Sequence, residues 1–247
     1  MADAISIAKA SMLHDMHRMQ VVSSNLSNVA TPGYKREMSS GADFANLLKA
    51  YSASGVASAN INADSVAAAL VNKRDNSAGM LKQTKNRFDI ALSDGVYLEL
   101  SGANGTVYSR GGHFSKDSSG RLINSKGYVL MSDMGEVRIS SDNIVVGVDG
   151  KILDGTTVIG KLNLVSFSDI GNLSYIGNGV YENREQANID SPKNPRVLQG
   201  YLEMSNVNQA DEMVRLIEIT RHFEANQKII RAYDSIMDSA INTLGDL

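Results

Sequence analysis

The sequence predicts an α+β fold: long N- and C-terminal α-helices that pair as a coiled-coil-like stalk, with a central all-β, antiparallel domain. Three observations predict it. Apolar residues recur every three or four positions at both chain ends, short apolar runs between glycine-bearing turns fill the middle, and an alanine- and serine-rich stretch separates the first helix from the strands. The expected divisions are a helix and turn over 1–35, a connector arm over 36–80, a β-rich domain over 81–204 and a second helix over 205–247.

In the first helix Ile5, Ala8, Met12, Met16, Met19, Val22, Leu26 and Val29 form one stripe. Pro32 and Gly33 end it, because proline disfavours helical geometry in the residue before it and glycine permits a turn. The connector has only small apolar clusters, such as Phe44, Leu47 and Leu48, and a helical turn or two is compatible with 64–70. Strands are expected over 88–92, 96–100, 128–131 and 162–167. Asp149-Gly150 and Asp154-Gly155 have the chemistry of tight hairpins, and Asp117-Ser118-Ser119-Gly120 that of a longer one.

Helical spacing returns after Asn208, the expected N-cap, with Asp211 and Glu212 in the first turn where the helix dipole favours negative charge. Its stripe is Met213, Leu216, Thr220, Phe223, Gln227, Ile230, Tyr233, Met237, Ile241 and Leu244. Two such stripes need cover, since burying each large apolar side chain contributes about 1.5–3 kcal/mol. Pairing them as a coiled coil recovers much of this, but alanine, methionine, serine and glutamine at many positions leave the pair in need of neighbouring copies. An ordinary helical hairpin packed on the sheet accounts for the spacing equally well.

Composition narrows the function. A hydrophobic fraction of 43% and a charged fraction of 21% suit a folded protein with a real core. Net charge is −3 with acids and bases interspersed, so a nucleic-acid track finds no support. The absence of cysteine removes disulfides, thiolate metal sites and cysteine nucleophiles. Asp3, Lys9, Asp15 and Arg18 interrupt what would be the apolar core of a cleaved signal, and no apolar span reaches membrane length.

His14 and His17 have the spacing of a metal pair but lack a third ligand. Ser109, His113 and Asp117 suggest a triad without a nucleophile elbow or oxyanion-hole motif. Asn25-Leu26-Ser27 and Asn172-Leu173-Ser174 match a glycosylation pattern that is frequent by chance, and Gly177-Asn178-Gly179 and Gly102-Ala103-Asn104-Gly105 are turn chemistry. No catalytic, cofactor-binding or metal-binding residue is expected, and no cofactor.

Ser23-Ser24-Asn25-Leu26-Ser27-Asn28-Val29-Ala30-Thr31-Pro32-Gly33-Tyr34-Lys35 resembles the N-terminal signature of the bacterial flagellar rod and hook proteins. Leu198-Gln199-Gly200-Tyr201-Leu202-Glu203-Met204-Ser205-Asn206-Val207-Asn208, followed by a long helix with Met213, Ile217, Arg221, Phe223, Glu224 and Lys228, resembles that family's C-terminal signature. Phe88 to Leu92, Tyr108 to Phe114 and Gly120-Arg121-Leu122 fit its β-domain motifs. The resemblance implies a non-enzymatic structural subunit of the basal-body rod, exported without a cleaved signal through the flagellar type III apparatus and assembled in the periplasm. Its partners would be copies of itself and other rod subunits, with no nucleic acid and no small-molecule substrate. The terminal helices would form an inner tube, with Asn25, Asn28, Thr31, Pro32 and Gly33 turning the chain outward and Ser205, Asn206 and Asn208 returning it. Length sets such a chain apart from small rod subunits and from hook proteins but suits both the proximal and the distal rod. Ser93-Asp94-Gly95-Val96-Tyr97, where a distal rod protein would carry Gly-x-Gly-Phe-Phe, and the short segment between helix and β domain point to the proximal rod. The alternatives are a distal rod subunit and a cell-envelope hydrolase of β fold.

Overall fold

A computed structural model of the chain describes residues 2–40, 71–102, 105–168, 173–183 and 187–245. Phe44, Leu47, Leu48, the segment 64–70, Ala103, Asn104 and Asn172 lie outside the described residues, as do the side chains of Ile5, Ile241 and Leu244. The chain divides into two units, one made of Met1–Ser27, Glu37–Lys73 and Asn208–Leu247, the other of Asn28–Arg36 and Arg74–Val207.

The larger unit is built on a twelve-stranded sheet whose neighbouring strands all run antiparallel. Successive residues of a strand face opposite sides, and the sequence exploits this. In the strand Val96–Gly102, Val96, Leu98 and Leu100 join an aliphatic core with Ile90, Phe114, Leu122, Leu130 and Ile152, whereas Tyr97 joins an aromatic cluster on the other side. Val107 with Tyr108, and Val180 with Tyr181, divide in the same way. Edge-to-face contacts order the aromatic side, with Tyr97 and Tyr108 both against Phe167 at centroid distances of 5.3 and 4.9 Å. Both faces of these central strands are therefore covered.

The expected turns take definite form. Asp154 pairs with Thr157 across the two-residue loop Gly155-Thr156, and Gly155 has a φ of 65°, which suits glycine at the first loop position. Asp117 N–H donates to Arg121 O, and Gly120 N–H to Asp117 O, closing the longer hairpin. At Gly111, with a φ of 107°, a Cβ would come within 2.2 Å of the Ile90 carbonyl oxygen, so no other residue fits beside that strand.

The smaller unit contains α1 (Ala2–Ser27), α2 (Gln209–Gly245) and a two-stranded ribbon, Glu37–Ser40 with Val71–Arg74. Asn208 caps α2, its Oδ1 accepting from Ala210 N–H at 3.0 Å. No helix among the described residues is long and apolar enough to cross a membrane.

Here the expected fold class needs correction. The described residues form a large antiparallel β domain with one helix at each end of the chain, and those helices do not make a coiled-coil-like stalk zipped by apolar stripes. Buried on α1 are Ala8, Ala10, Ser11, His14, Asp15, Val21, Val22 and Asn25; on α2 they are Glu212 and Ile219, with Leu216, Phe223, Asn226, Ile230 and Tyr233 half-buried. Bonds between the helices are polar: Asn226 Nδ2 donates to Ser11 Oγ at 2.9 Å and to Asp15 Oδ2 at 3.2 Å. From the expected stripes, Met16, Met213 and Met237 are exposed. Spacing finds Leu216, Phe223 and Ile230 on the covered side of α2, but hydrogen-bonding side chains share the contact with them, and spacing does not mark those.

Leu98→Ala in the aliphatic core should destabilise the β unit by about 2–5 kcal/mol, seen as an earlier urea midpoint for loss of the near-ultraviolet tyrosine dichroism. An unchanged midpoint would refute the assignment of that core.

Candidate assembly junction

Asn25, wholly buried near the end of α1, meets the backbone of Glu37 as another peptide group would. Its Nδ2 donates to Glu37 O at 2.8 Å and its Oδ1 accepts from Glu37 N–H at 2.9 Å. The same Nδ2 donates to Glu212 Oε2 at 3.1 Å, joining the first helix to the first turn of α2 within the smaller unit. Only a side-chain amide offers both a donor and an acceptor in this arrangement.

In the larger unit the two signature segments meet. Thr31 N–H donates to Asn28 O, Thr31 Oγ1 to Asn28 Oδ1, and Tyr34 N–H to Thr31 O, which curls the chain after the helix. Gly33, at a φ of 70°, then presents its N–H to Glu203 O at 2.8 Å, while Gly33 O accepts from the Tyr181 hydroxyl at 3.0 Å. Burial pushes the Tyr181 phenol well above its ordinary value, keeping it a donor. Buried Tyr34 stands edge-on to Tyr175 at 5.3 Å.

Lys35 and Glu203 form the centre. Both side chains are 3% exposed, and Lys35 Nζ lies 2.6 Å from Glu203 Oε1, with Ser77 O as a further acceptor. Glu203 Oε1 also accepts from Gly79 N–H, and Oε2 accepts from Arg110 Nε at 3.2 Å and Nη2 at 2.8 Å. Arg110 Nη1 donates to the carbonyls of Ser93 and Val96, and Asp94 stands 3.6 Å from Nη2. Two cations thus face two carboxylates, one of them deeply buried, and backbone groups of Ser77, Gly79, Ser93 and Val96 supply further hydrogen bonds. Burial would raise the Glu203 carboxyl, but the Arg110 charge together with the bond and charge of Lys35 and the Gly79 N–H outweighs it and holds the group below its ordinary range.

Asn206 extends the junction: its Oδ1 accepts from Arg36 N–H at 2.7 Å, and its Nδ2 donates to Asp75 O and Ser77 O. Gly200, with a φ of 77°, donates to Asp89 O and accepts from Thr84 N–H. Ser205 Oγ accepts from Val207 N–H locally. The structure thus brings Gly33, Lys35, Glu203 and Asn206 together in one unit, and Asn25 with Glu212 in the other. Leu26, Leu216, Phe223 and Ile230 are half-buried, Val207 is buried, and Met237 is exposed. Pro32 carries a carbonyl against which a Cβ on Gly179 would sit at 2.7 Å.

Glu203, Arg110 and Asn226 were not expected as contact residues, and Glu212 and Asp15 drew notice only for the helix dipole and for interrupting an apolar run. Glu203 and Arg110 lie inside the family-like motifs, yet nothing local to either announces a partner 93 or 168 positions away. The residues weighed for catalysis have other partners: Asp117 binds Arg121, Ser109 Oγ lies 2.8 Å from Gly111 O and 3.1 Å from Gly179 O, and His113 Nδ1 lies 2.7 Å from Asp89 Oδ1. His17 Nε2 lies 2.9 Å from Asn72 Oδ1, and the described residues contain no cluster of three metal-ligating side chains.

The family pattern described as flagellar basal body rod FlgEFG protein, C-terminal, matches residues 198–243. The flagellar basal-body rod protein FlgG of Buchnera aphidicola subsp. Schizaphis graminum is 28% identical, over 96% of this chain and 98% of its own. The rod protein FlgF of Mesorhizobium japonicum is 27% identical over 99% of each chain, and the hook-basal body complex protein FlhO of Bacillus subtilis 26% over 100% of each. Over nearly its whole length the chain is thus similar to flagellar basal-body rod proteins, and residues 198–243 carry the C-terminal pattern of that family.

Glu203→Gln should cost the β unit about 3–5 kcal/mol, because Lys35 and Arg110 then lack their buried counter-charge. The Glu203 value is depressed on folding, so its contribution is complete above about pH 4.5 and is lost as the pH falls through the folded value. Acid unfolding followed by tyrosine dichroism should therefore lose part of its steepness below pH 4.5 in the variant. Equal midpoints and equal acid sensitivity would dismiss the node as a stabilising element.

Proposed function

We propose that this chain is a structural subunit of the flagellar rod, that it occupies the proximal rod and that it polymerises through its terminal helices. The observation that carries polymerisation is the second apolar face of α2. Val214, Ile217, Ile229 and Ile236 project from it and are each more than half exposed, on the side away from the buried line through Leu216, Ile219, Phe223 and Ile230. Burial of each such side chain contributes about 1.5–3 kcal/mol, so a face of four is strongly favoured to find cover, and copies of this chain or other rod subunits are its natural partners. In this arrangement the helices line an inner tube, 81–204 stands outside it, and the junction around Lys35 and Glu203 fixes how the chain leaves and re-enters.

The proximal assignment draws support from the alignments. Matching the FlgF relative takes 250 positions to cover 99% of each chain, whereas matching the Buchnera FlgG takes 260 positions to cover 96% of this one. Fewer interruptions fall between this chain and the FlgF relative. Export through the flagellar type III apparatus and assembly in the periplasm complete the proposal, as does a role without catalysis. A distal position is the competing assignment, favoured by the several relatives named FlgG.

The test is complementation of strains that lack single rod proteins, read by motility and by electron microscopy of basal bodies. Rescue of a strain lacking the proximal protein is expected; rescue only of one lacking the distal protein overturns the placement. Ile229→Asp and Phe223→Asp should each block incorporation while the isolated chain keeps its β-unit dichroism. Normal rods from both variants would refute assembly through α2.

A further inference from the structure

Asp15 is a buried carboxylate on α1, 3% exposed, and it faces α2. Among the described residues it accepts one hydrogen bond, from the neutral amide of Asn226 at 3.2 Å, and Arg18 Nη1 stands 3.9 Å away on its own helix. An ionised carboxylate ordinarily accepts several hydrogen bonds or a close bidentate cation when it is removed from water. Glu203 has that compensation and Asp15 does not. His14 on α1 and His222 on α2 also act on it electrostatically, and the ribbon beside α1 carries the charged groups Glu37 and Lys73.

We propose that Asp15 makes the contact between α1 and α2 a proton-sensitive clasp, tight when the carboxyl is neutral and loosened when it is ionised. Neutral Asp15 can keep the Asn226 bond at little desolvation cost. Ionised Asp15 holds a charge in the seam against one weak donor, and separating the helices gives it back to water. Burial pushes its carboxyl above the ordinary range, against the opposing pull of Arg18, His222, His14 and Asn226. Because the folded value is raised, the stabilisation is complete below about pH 3.9 and is lost as the pH rises through the folded value. At neutral pH the two helices of one subunit are thus held lightly, which leaves them free to exchange each other for helices of neighbouring subunits. That use rests on the assembly proposed above, whereas the clasp itself is a property of the free chain.

The experiment uses the intact chain below the concentration at which it associates. Carboxyl carbon NMR of Asp15 should show a midpoint above that of an exposed aspartate. Amide protection along 11–15 and 222–226, corrected for intrinsic exchange, should fall about threefold to tenfold as the pH rises through that midpoint. Asp15→Asn should abolish this fall and protect the seam more than wild type at pH 7, with protection at Ile90 and Leu98 unchanged. His222→Gln, at an exposed position, should move the Asp15 midpoint further up. A midpoint at or below the ordinary value, or the same pH dependence in Asp15→Asn, overturns the clasp. Failure of rod assembly with the clasp intact would count only against the polymerisation proposal.

Discussion

The β unit depends on one carboxylate. Glu203 gathers the ammonium of Lys35, the guanidinium of Arg110 and the amide of Gly79 on its side chain, and its backbone oxygen takes the N–H of Gly33. Four stretches of chain that are distant in sequence are thereby fixed around two oxygens and a carbonyl. A buried ion pair is not in itself a strong stabiliser, because desolvation offsets the attraction. Its value here lies in geometry: each bond has a required direction, so the segment after the first helix has one register against the segment before the second.

The helical unit follows a different rule. At Asn25 a side-chain amide substitutes for a strand neighbour, matching the donor and acceptor of Glu37 while reaching Glu212. At Ser11, Asp15 and Asn226 the contact between helices is again made by polar groups. Polar contacts of this type specify alignment at the expense of adhesion, as a single buried asparagine does in paired helices. Apolar adhesion is instead displayed on the outside of α2, where Ile229 and Ile236 are 58% and 65% exposed.

Much of this was legible in the sequence, for physical reasons that differ by element. The helices and strands announced themselves through spacing, and the turns through glycines placed where a positive φ is needed, as at Gly155. The resemblance to the rod family was carried by the segments 23–35 and 198–208. The polar part of the seam was missed because Ser, Asp and Asn at its positions give no hydropathy signal, while methionines on the outer faces do. Glu203 lies in a tripeptide, Tyr201-Leu202-Glu203, that reads as an ordinary strand end. Only the fold reveals that Arg110 and Lys35 approach it.

The separation of Lys35 from Glu203 by 168 positions has a consequence for timing. A polypeptide is made from its N-terminus, and contacts between remote segments form slowly because a long loop must close first. Until the tail end of the β unit arrives, Lys35 and Arg110 have no carboxylate to enter the core with, and leaving water without one is strongly unfavourable. The early part of the β unit therefore carries its own safeguard against closing ahead of time: a half-finished unit stays open, and its final strand is the one that locks it.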